Sequence, residues 1–201
     1  MPYVEAAVRR TQFIAAARAA LAAHGVAKTS LRVVAARADV PLATMQYVFP
    51  SKEKLLRAVI EDVVDEIAGV LQASATTDQG LENAIRQGLD TFWGKLVEGG
   101  RDLQLLQYEL TMYALRTPGH EELARLQYER YVGVVATWCR EAAERAGETA
   151  AVSFDHLARM IVAGVDGLIL QYVCDPVDTR AREGCEALAD MAIGLAGVDA
   201  A

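Results

Sequence analysis

Cysteine and histidine are scarce in this chain, three of each among 201 residues, and neither is spaced for chemistry. Cys139, Cys174 and Cys185 are odd in number, form no CxxC pair and lie in apolar surroundings. That argues against a disulfide framework and fits thiols acting as small hydrophobes in a reducing compartment. His24, His120 and His156 are scattered, with neither HExxH nor ExxH spacing, so metal chemistry finds no ligand set and no cofactor is expected. No P-loop and no GxSxG occurs either. The paired acids Glu121 and Glu122 stand where a helix should start, and there they answer the helix dipole. The opening Met1-Pro-Tyr-Val-Glu has no charged segment followed by an apolar run, so no secretory leader is read from it. Apolar stretches such as Met160 to Val165 are broken by Asp166 well short of the roughly 20 residues a bilayer crossing needs. A soluble, cytoplasmic protein without a membrane partner is the expectation. Strand-like alternation, internal repeats and low-complexity linkers are also missing.

What is present is helical periodicity almost everywhere, which predicts an all-α fold of about nine helices. Phe13, Ile14, Ala17 and Leu21 share one stripe of a first helix that should stop at Gly25, the residue best able to take left-handed backbone. Thr29 or Ser30 can cap a second helix burying Leu31, Val34, Ala35 and Ala38. Pro41 suits the first position of a third helix running to about Val48. Pro50 then discourages continuation, and Ser51 with Glu53 behind it opens a fourth helix reaching about Ser74. Turn clusters at 76–80, 98–101, 116–119, 146–149 and 174–178 mark off five more helices. Thr117-Pro118 and Pro176-Val-Asp178 are start signals for two of them.

Charge divides the chain. Residues 1–57 hold nine Lys/Arg against three Asp/Glu, a net of +6, inside a total of −7, so residues 58–201 carry −13. A basic front is compatible with nucleic acid whatever the global pI, because phosphates meet a local face. Two short helices joined by a tight turn, followed by a freshly capped helix, make a helix-turn-helix. Its third helix exposes Thr44, Gln46 and Tyr47 opposite Val40, Met45 and Val48. Gln can pair bidentately with adenine, a Thr methyl can meet a thymine methyl, and Tyr can reach a phosphate. Gln46 is the first candidate for base reading. Lys52 and Lys54 look like phosphate clamps, with Arg32 and the Arg9-Arg10 pair extending the footprint.

The run from Phe13 to Leu56 resembles the DNA-binding domain of TetR-family transcriptional regulators. The matching pieces are Phe13-Ile-Ala-Ala-Ala17, Gly25-Val26, Thr29-Ser-Leu31, Val34-Ala35, Val40, Thr44-Met45, Tyr47, Phe49, Ser51-Lys-Glu53 and Leu55-Leu56. Pro41, Ala43, Gln46 and Val48 depart from the usual residues on the DNA-facing surface. The resemblance implies DNA contacts from Thr29, Ser30, Arg32, Pro41, Leu42, Ala43, Thr44, Gln46, Tyr47 and Lys52, and a homodimer on a pseudo-palindromic operator. It sets a DNA-binding domain at 1–50 and a ligand-binding and dimerisation domain at 51–201, with helix 51–74 as connector.

The rest resembles BetI-type regulators more loosely, chiefly in Leu157-Ala-Arg-Met-Ile-Val-Ala-Gly-Val-Asp-Gly-Leu168. Apolar and small residues on the last two helices, Leu157, Ile161, Gly164, Leu168, Leu188, Ala192 and Leu195, are the expected dimer seam, two helices per subunit. An apolar effector pocket is expected from Phe92, Trp93, Tyr108, Met112, Tyr131 and Trp138, with Gln107, Glu109 or Gln171 as polar contacts. The functional expectation is a non-enzymatic, ligand-responsive repressor released from its operator by a small, largely apolar effector. The competing reading is an all-α ligand carrier or enzyme in which the front helices are only a packing module.

Overall fold

The computed structural model describes residues 2–74, 79–98 and 100–200. Among them are nine α-helices: α1 (Pro2–Lys28), α2 (Leu31–Arg37), α3 (Leu42–Val48), α4 (Lys52–Ser74), α5 (Gly80–Phe92), α6 (Arg101–Arg116), α7 (Glu121–Ala146), α8 (Phe154–Cys174) and α9 (Asp178–Ala196). A π-helical turn, Trp93–Val97, follows α5. One small antiparallel pairing joins β1 (Glu148–Thr149) to β2 (Asp199–Ala200). The chain forms two compact units, residues 1–63 with 105–127, and residues 64–104 with 128–201.

In the first unit α1 buries Phe13, Ile14, Ala17, Ala20 and Leu21. It breaks at Gly25, whose φ of 75° and ψ of 164° are not helical. Ser30 caps α2, its hydroxyl accepting from Val33 N–H, as its residue type predicts. The α2–α3 turn passes through Asp39 at φ 54°, a conformation that Asp tolerates better than most residues. Pro41 stands one residue ahead of its expected place, as the cap of α3 with ψ 143°. Its carbonyl accepts from Thr44 and Met45 N–H. Met45 and Phe49 are buried to 0% and 1% exposure and pin the short α3 to the core with Val34. Each such side chain contributes about 1.5–3 kcal/mol. Ser51 accepts from Lys54 N–H at 3.2 Å and opens α4 as expected. α7 starts at Glu121, later than Thr117-Pro118 suggests, because His120 N–H donates to Thr117 O at 3.0 Å across a turn in which Gly119 takes φ 83°.

In the second unit α5 buries Leu81, Ala84, Ile85, Gly88 and Leu89 on one helical stripe, and packs on α9, as α8 does. Small residues permit these approaches. A Cβ on Gly88 would lie 2.3 Å from the Trp138 ring, one on Gly164 2.3 Å from Leu188 Cδ1, and one on Gly184 2.6 Å from Leu168 Cδ2. Glu148 fastens the start of α5, accepting from Leu81 N–H at 2.7 Å, where a carboxylate also meets the positive end of the helix. Burial pushes the thiols of Cys139 and Cys185 up to about 12 and about 11, while Cys174 is exposed. α8 is, by length and composition, apolar enough to cross a membrane, with mean hydropathy 1.5 and 28% of that window buried. Asp166 interrupts it, and the helix packs on α9.

Candidate nucleic-acid interface

The helix-turn-helix sorts its side chains by face. Met45 is sealed in the core, while Gln46 is exposed and Tyr47 is 90% exposed. An aromatic ring of that size left in water by a well-filled core is the surface feature expected of a residue with an external partner. Pro41 and Ala43 are exposed beside them, and Leu42 and Thr44 are half-buried. On α2 Arg32 is exposed, and exposed Ser30 keeps a hydroxyl hydrogen to donate outward while its oxygen caps the helix.

Two residues of the expected DNA contact set lie elsewhere. Thr29 is only 3% exposed. Its hydroxyl donates to Gly25 O at 2.8 Å, with Ala20 O at 3.3 Å. By these bonds Thr29 braces the loop from inside. Lys52 donates from Nζ to Val26 O and sits 4.6 Å from the Tyr113 ring centroid. Burial draws its pKa below the ordinary lysine value. The half-buried ammonium expected on a phosphate thus also has partners within the protein. Arg10 lies over the Phe49 ring at 5.0 Å and 3.7 Å from Glu61, whereas Arg9 and Lys54 are exposed. Sequence reasoning also missed Glu109, set down as an effector contact, whose carboxylate accepts from Val26 N–H at 3.0 Å. Only the positive φ at Gly25, legible as a glycine between two helices, hints that a side chain must come to this peptide.

The expected effector residues are divided. Tyr108, half-buried, and Met112, 48% exposed, belong to the first unit, and Phe92, Trp93, Tyr131, Trp138 and Gln171 to the second. Within the second unit Trp93 lines a cavity of about 270 Å³ between α5 and α9, beside Arg86, Asp90, Glu98 and Arg182. Trp138 lines another of about 400 Å³ between α4 and α7, beside Leu71, Glu129 and Gly133. Both indole N–H groups are buried without a partner among the described residues, which is costly unless something accepts from them. Trp93 packs edge-on against Tyr172 at 5.4 Å, and Tyr131 against Tyr128 at 6.1 Å. Gln171 is exposed on α8. Charged groups line both cavities beside the aromatic ones. Among the described residues no group of three or more His, Cys, Asp and Glu could hold a metal ion.

The residues of the expected dimer seam are only partly exposed. Leu157, Ile161, Leu188 and Ala192 are buried within the protomer, and Gly164, Leu168 and Leu195 are half-buried. Their helical stripes are the ones by which α8 and α9 meet each other. The residues left outside are Met160, Ala163, Gly167 and Leu170 on α8 and Ala187, Met191 and Gly194 on α9, with Met160, Leu170 and Met191 at 44%, 51% and 68% exposure.

A basic helix-turn-helix head ahead of an acidic helical bundle defines a DNA-binding regulator by its construction. Comparison with known proteins agrees. A model of bacterial regulatory proteins of the tetR family matches residues 13–59, and one of the C-terminal part of BetI-type transcriptional repressors matches residues 86–195. The chain belongs to the TetR family of transcriptional regulators, and is a DNA-binding protein rather than an enzyme. It is 28% identical over 190 residues to the HTH-type nicotine-responsive transcriptional repressor HdnoR of Paenarthrobacter nicotinovorans, covering 94% of this chain and 96% of that one. The crystal structure of the multidrug binding protein EbrR complexed with imidazole has 30% identity and a TM-score of 0.63, over 90% of this chain and 94% of that one. A transcriptional regulator from Rhodococcus sp. Rha1, at 18% identity and a TM-score of 0.72, covers 96% of this chain and 98% of its own, and shows the same fold.

Proposed function

We propose that two copies of this chain bind a pseudo-palindromic operator and repress transcription from it until a small organic effector releases them. The observation that carries the reading is α3, where Gln46 and Tyr47 project into solvent from a helix whose opposite side is anchored by fully buried Met45. Gln46 reads a base edge, Thr44, Leu42 and Ala43 supply apolar contact, and Tyr47, Ser30, Arg32 and the exposed basic residues meet the backbone. A gel shift with the chain's own upstream DNA across a salt series tests it. Specific retardation with a steep negative salt slope is expected, and equal binding to every duplex counts against it.

The dimer that sets the two reading helices about 34–36 Å apart is assigned to the outer faces of α8 and α9. Met160, Leu170 and Met191 supply exposed apolar area there, and Gly167 and Gly194 leave room for close approach. The effector is assigned to one of the two cavities of the second unit, with Trp93 or Trp138 as its aromatic wall. HdnoR is described as nicotine-responsive, and EbrR has been crystallised with ethidium and malachite green. Nitrogen-bearing aromatic molecules are therefore the class to screen first. Loss of the gel shift on adding one, with no loss of folded protein, is the positive result.

A further inference from the structure

Both backbone polar groups of Val26, which belong to two successive peptides, are held by charged side chains in the first unit. Val26 N–H donates to Glu109 Oε2 at 3.0 Å, and Val26 O accepts from Lys52 Nζ, whose ammonium also lies 4.6 Å from the Tyr113 ring centroid. The anion faces an N–H and the cation faces a C=O, so each is a charge-assisted hydrogen bond, the strong form. The local backbone is shaped for this. Gly25 at φ 75° lifts the Val26 peptide out of the helix, and a Cβ at Gly25 would stand 3.1 Å from Glu109 Oε2. Three residues on, Thr29 ties the same loop to Gly25 O and Ala20 O, and Ser30 caps α2, on which α3 packs. Glu109 and Tyr113 are four residues apart on one face of α6, and α6 lies inside the stretch that matches the BetI-type C-terminal model, residues 86–195. The effector-responsive half of the sequence thus reaches the root of the reading head through two side chains.

We infer that Glu109 and Tyr113 are positioning residues for DNA binding. They seat Lys52 and the Val26 peptide, fix the direction in which the loop enters α2, and so set the attitude of α3. Lys52 acts here as a latch between α4 and the α1–α2 loop and not as a phosphate contact. The inference rests on the DNA-binding reading, yet its first measurement needs no DNA.

Amide hydrogen exchange at Val26 is compared in the intact wild type, Glu109→Gln and Glu109→Ala. The Ala variant should exchange about tenfold faster or more, as loss of a charge-assisted bond implies, while Gln, which still offers an acceptor oxygen, should stay close to wild type. Operator affinity is then measured against salt on a duplex enriched by the wild type from a random library. Glu109→Ala, Tyr113→Leu and Lys52→Met should each weaken binding several-fold at unchanged salt slope, and Tyr113→Phe, which keeps the ring, should not. Unaltered Val26 protection in Glu109→Ala overturns the clamp whatever the DNA result. A slope reduced by about 0.9 per protomer in Lys52→Met returns Lys52 to a phosphate and overturns the latch. If the wild type enriches no duplex while Val26 behaves as stated, the regulator reading fails, and the positioning role fails with it.

Discussion

α3 and the outer faces of α8 and α9 are both exposed, and they expose different chemistry. On α3 the residues left in water are Gln46 and Tyr47, each with hydrogen-bonding capacity, and the apolar Met45 is sealed away. On α8 and α9 the residues left in water are Met160, Leu170 and Met191, apolar and set among glycine and alanine. A face that meets phosphates and base edges exchanges one set of hydrogen bonds for another. A face that meets its own copy gains by removing hydrocarbon from water.

The contrast is broken most severely by putting charge on the apolar face. Leu170→Glu combined with Met191→Glu should convert a dimer to a monomer in sedimentation, and operator affinity should fall by about two orders of magnitude or more, because the second half-site contact is no longer linked to the first. A double variant that remains dimeric would move the seam elsewhere. The inner faces of the same helices answer differently. Gly164→Leu places its Cβ where Leu188 Cδ1 already stands, so it should cost about 1–3 kcal/mol through overpacking. That is a lowered melting temperature with the protomer's own α8–α9 packing as its cause.

The reading head was the more legible region because its instructions are local. A glycine that breaks α1, serines at 30 and 51 that cap α2 and α4, and a proline ahead of α3 each act within a turn of their own position. All appear where residue chemistry alone puts them, with Pro41 displaced by one. Thr29 and Lys52 escaped because their partners, Ala20 O, Gly25 O, Val26 O and the Tyr113 ring, are produced by the fold and not by neighbours in sequence. The helical stripes of α8 and α9 were legible as stripes, but periodicity cannot say whether an apolar side faces its own chain or another. Leu157 and Leu188 went inward, and Leu170 and Met191 did not. The expected effector residues were the least legible, since a large aromatic reads alike as core and as pocket wall, and Trp93 and Trp138 line separate cavities.

Within the head, an inside position and an outside one should fail in distinguishable ways. Thr29→Val keeps the shape but strips the hydroxyl from Gly25 O and Ala20 O, so stability should drop by about 1–3 kcal/mol as read by denaturant melting. Base preference in a library selection should stay as it was. Gln46→Ala should leave the melt untouched and relax selection at one position of each half-site by about 1–3 kcal/mol. An unchanged preference profile would transfer base reading to another residue.

The smallest effect sharpens the comparison on α8, where the half-buried Asp166 lies in a stretch otherwise given to apolar contact. Burial raises its carboxyl above the usual aspartate range, and a hydrogen bond from Tyr128 partly opposes that shift. A raised folded-state value means that, between the unfolded and folded values, the folded chain holds more protons, so stability falls as pH rises through that window. The charged form is the disfavoured one, the reverse of a salt-bridged carboxylate. Asp166→Asn should remove this descent. Subtracting its pH–stability curve from the wild type's cancels the other carboxylates and should leave a step that declines with rising pH from the ordinary aspartate value upward. Tyr128→Phe, by withdrawing the hydrogen bond that favours the charge, should carry the step to higher pH. A difference curve that rises with pH would mean that Asp166 is held ionised by a partner, and α8 would then owe its place in the bundle to an ion pair as well as to hydrocarbon.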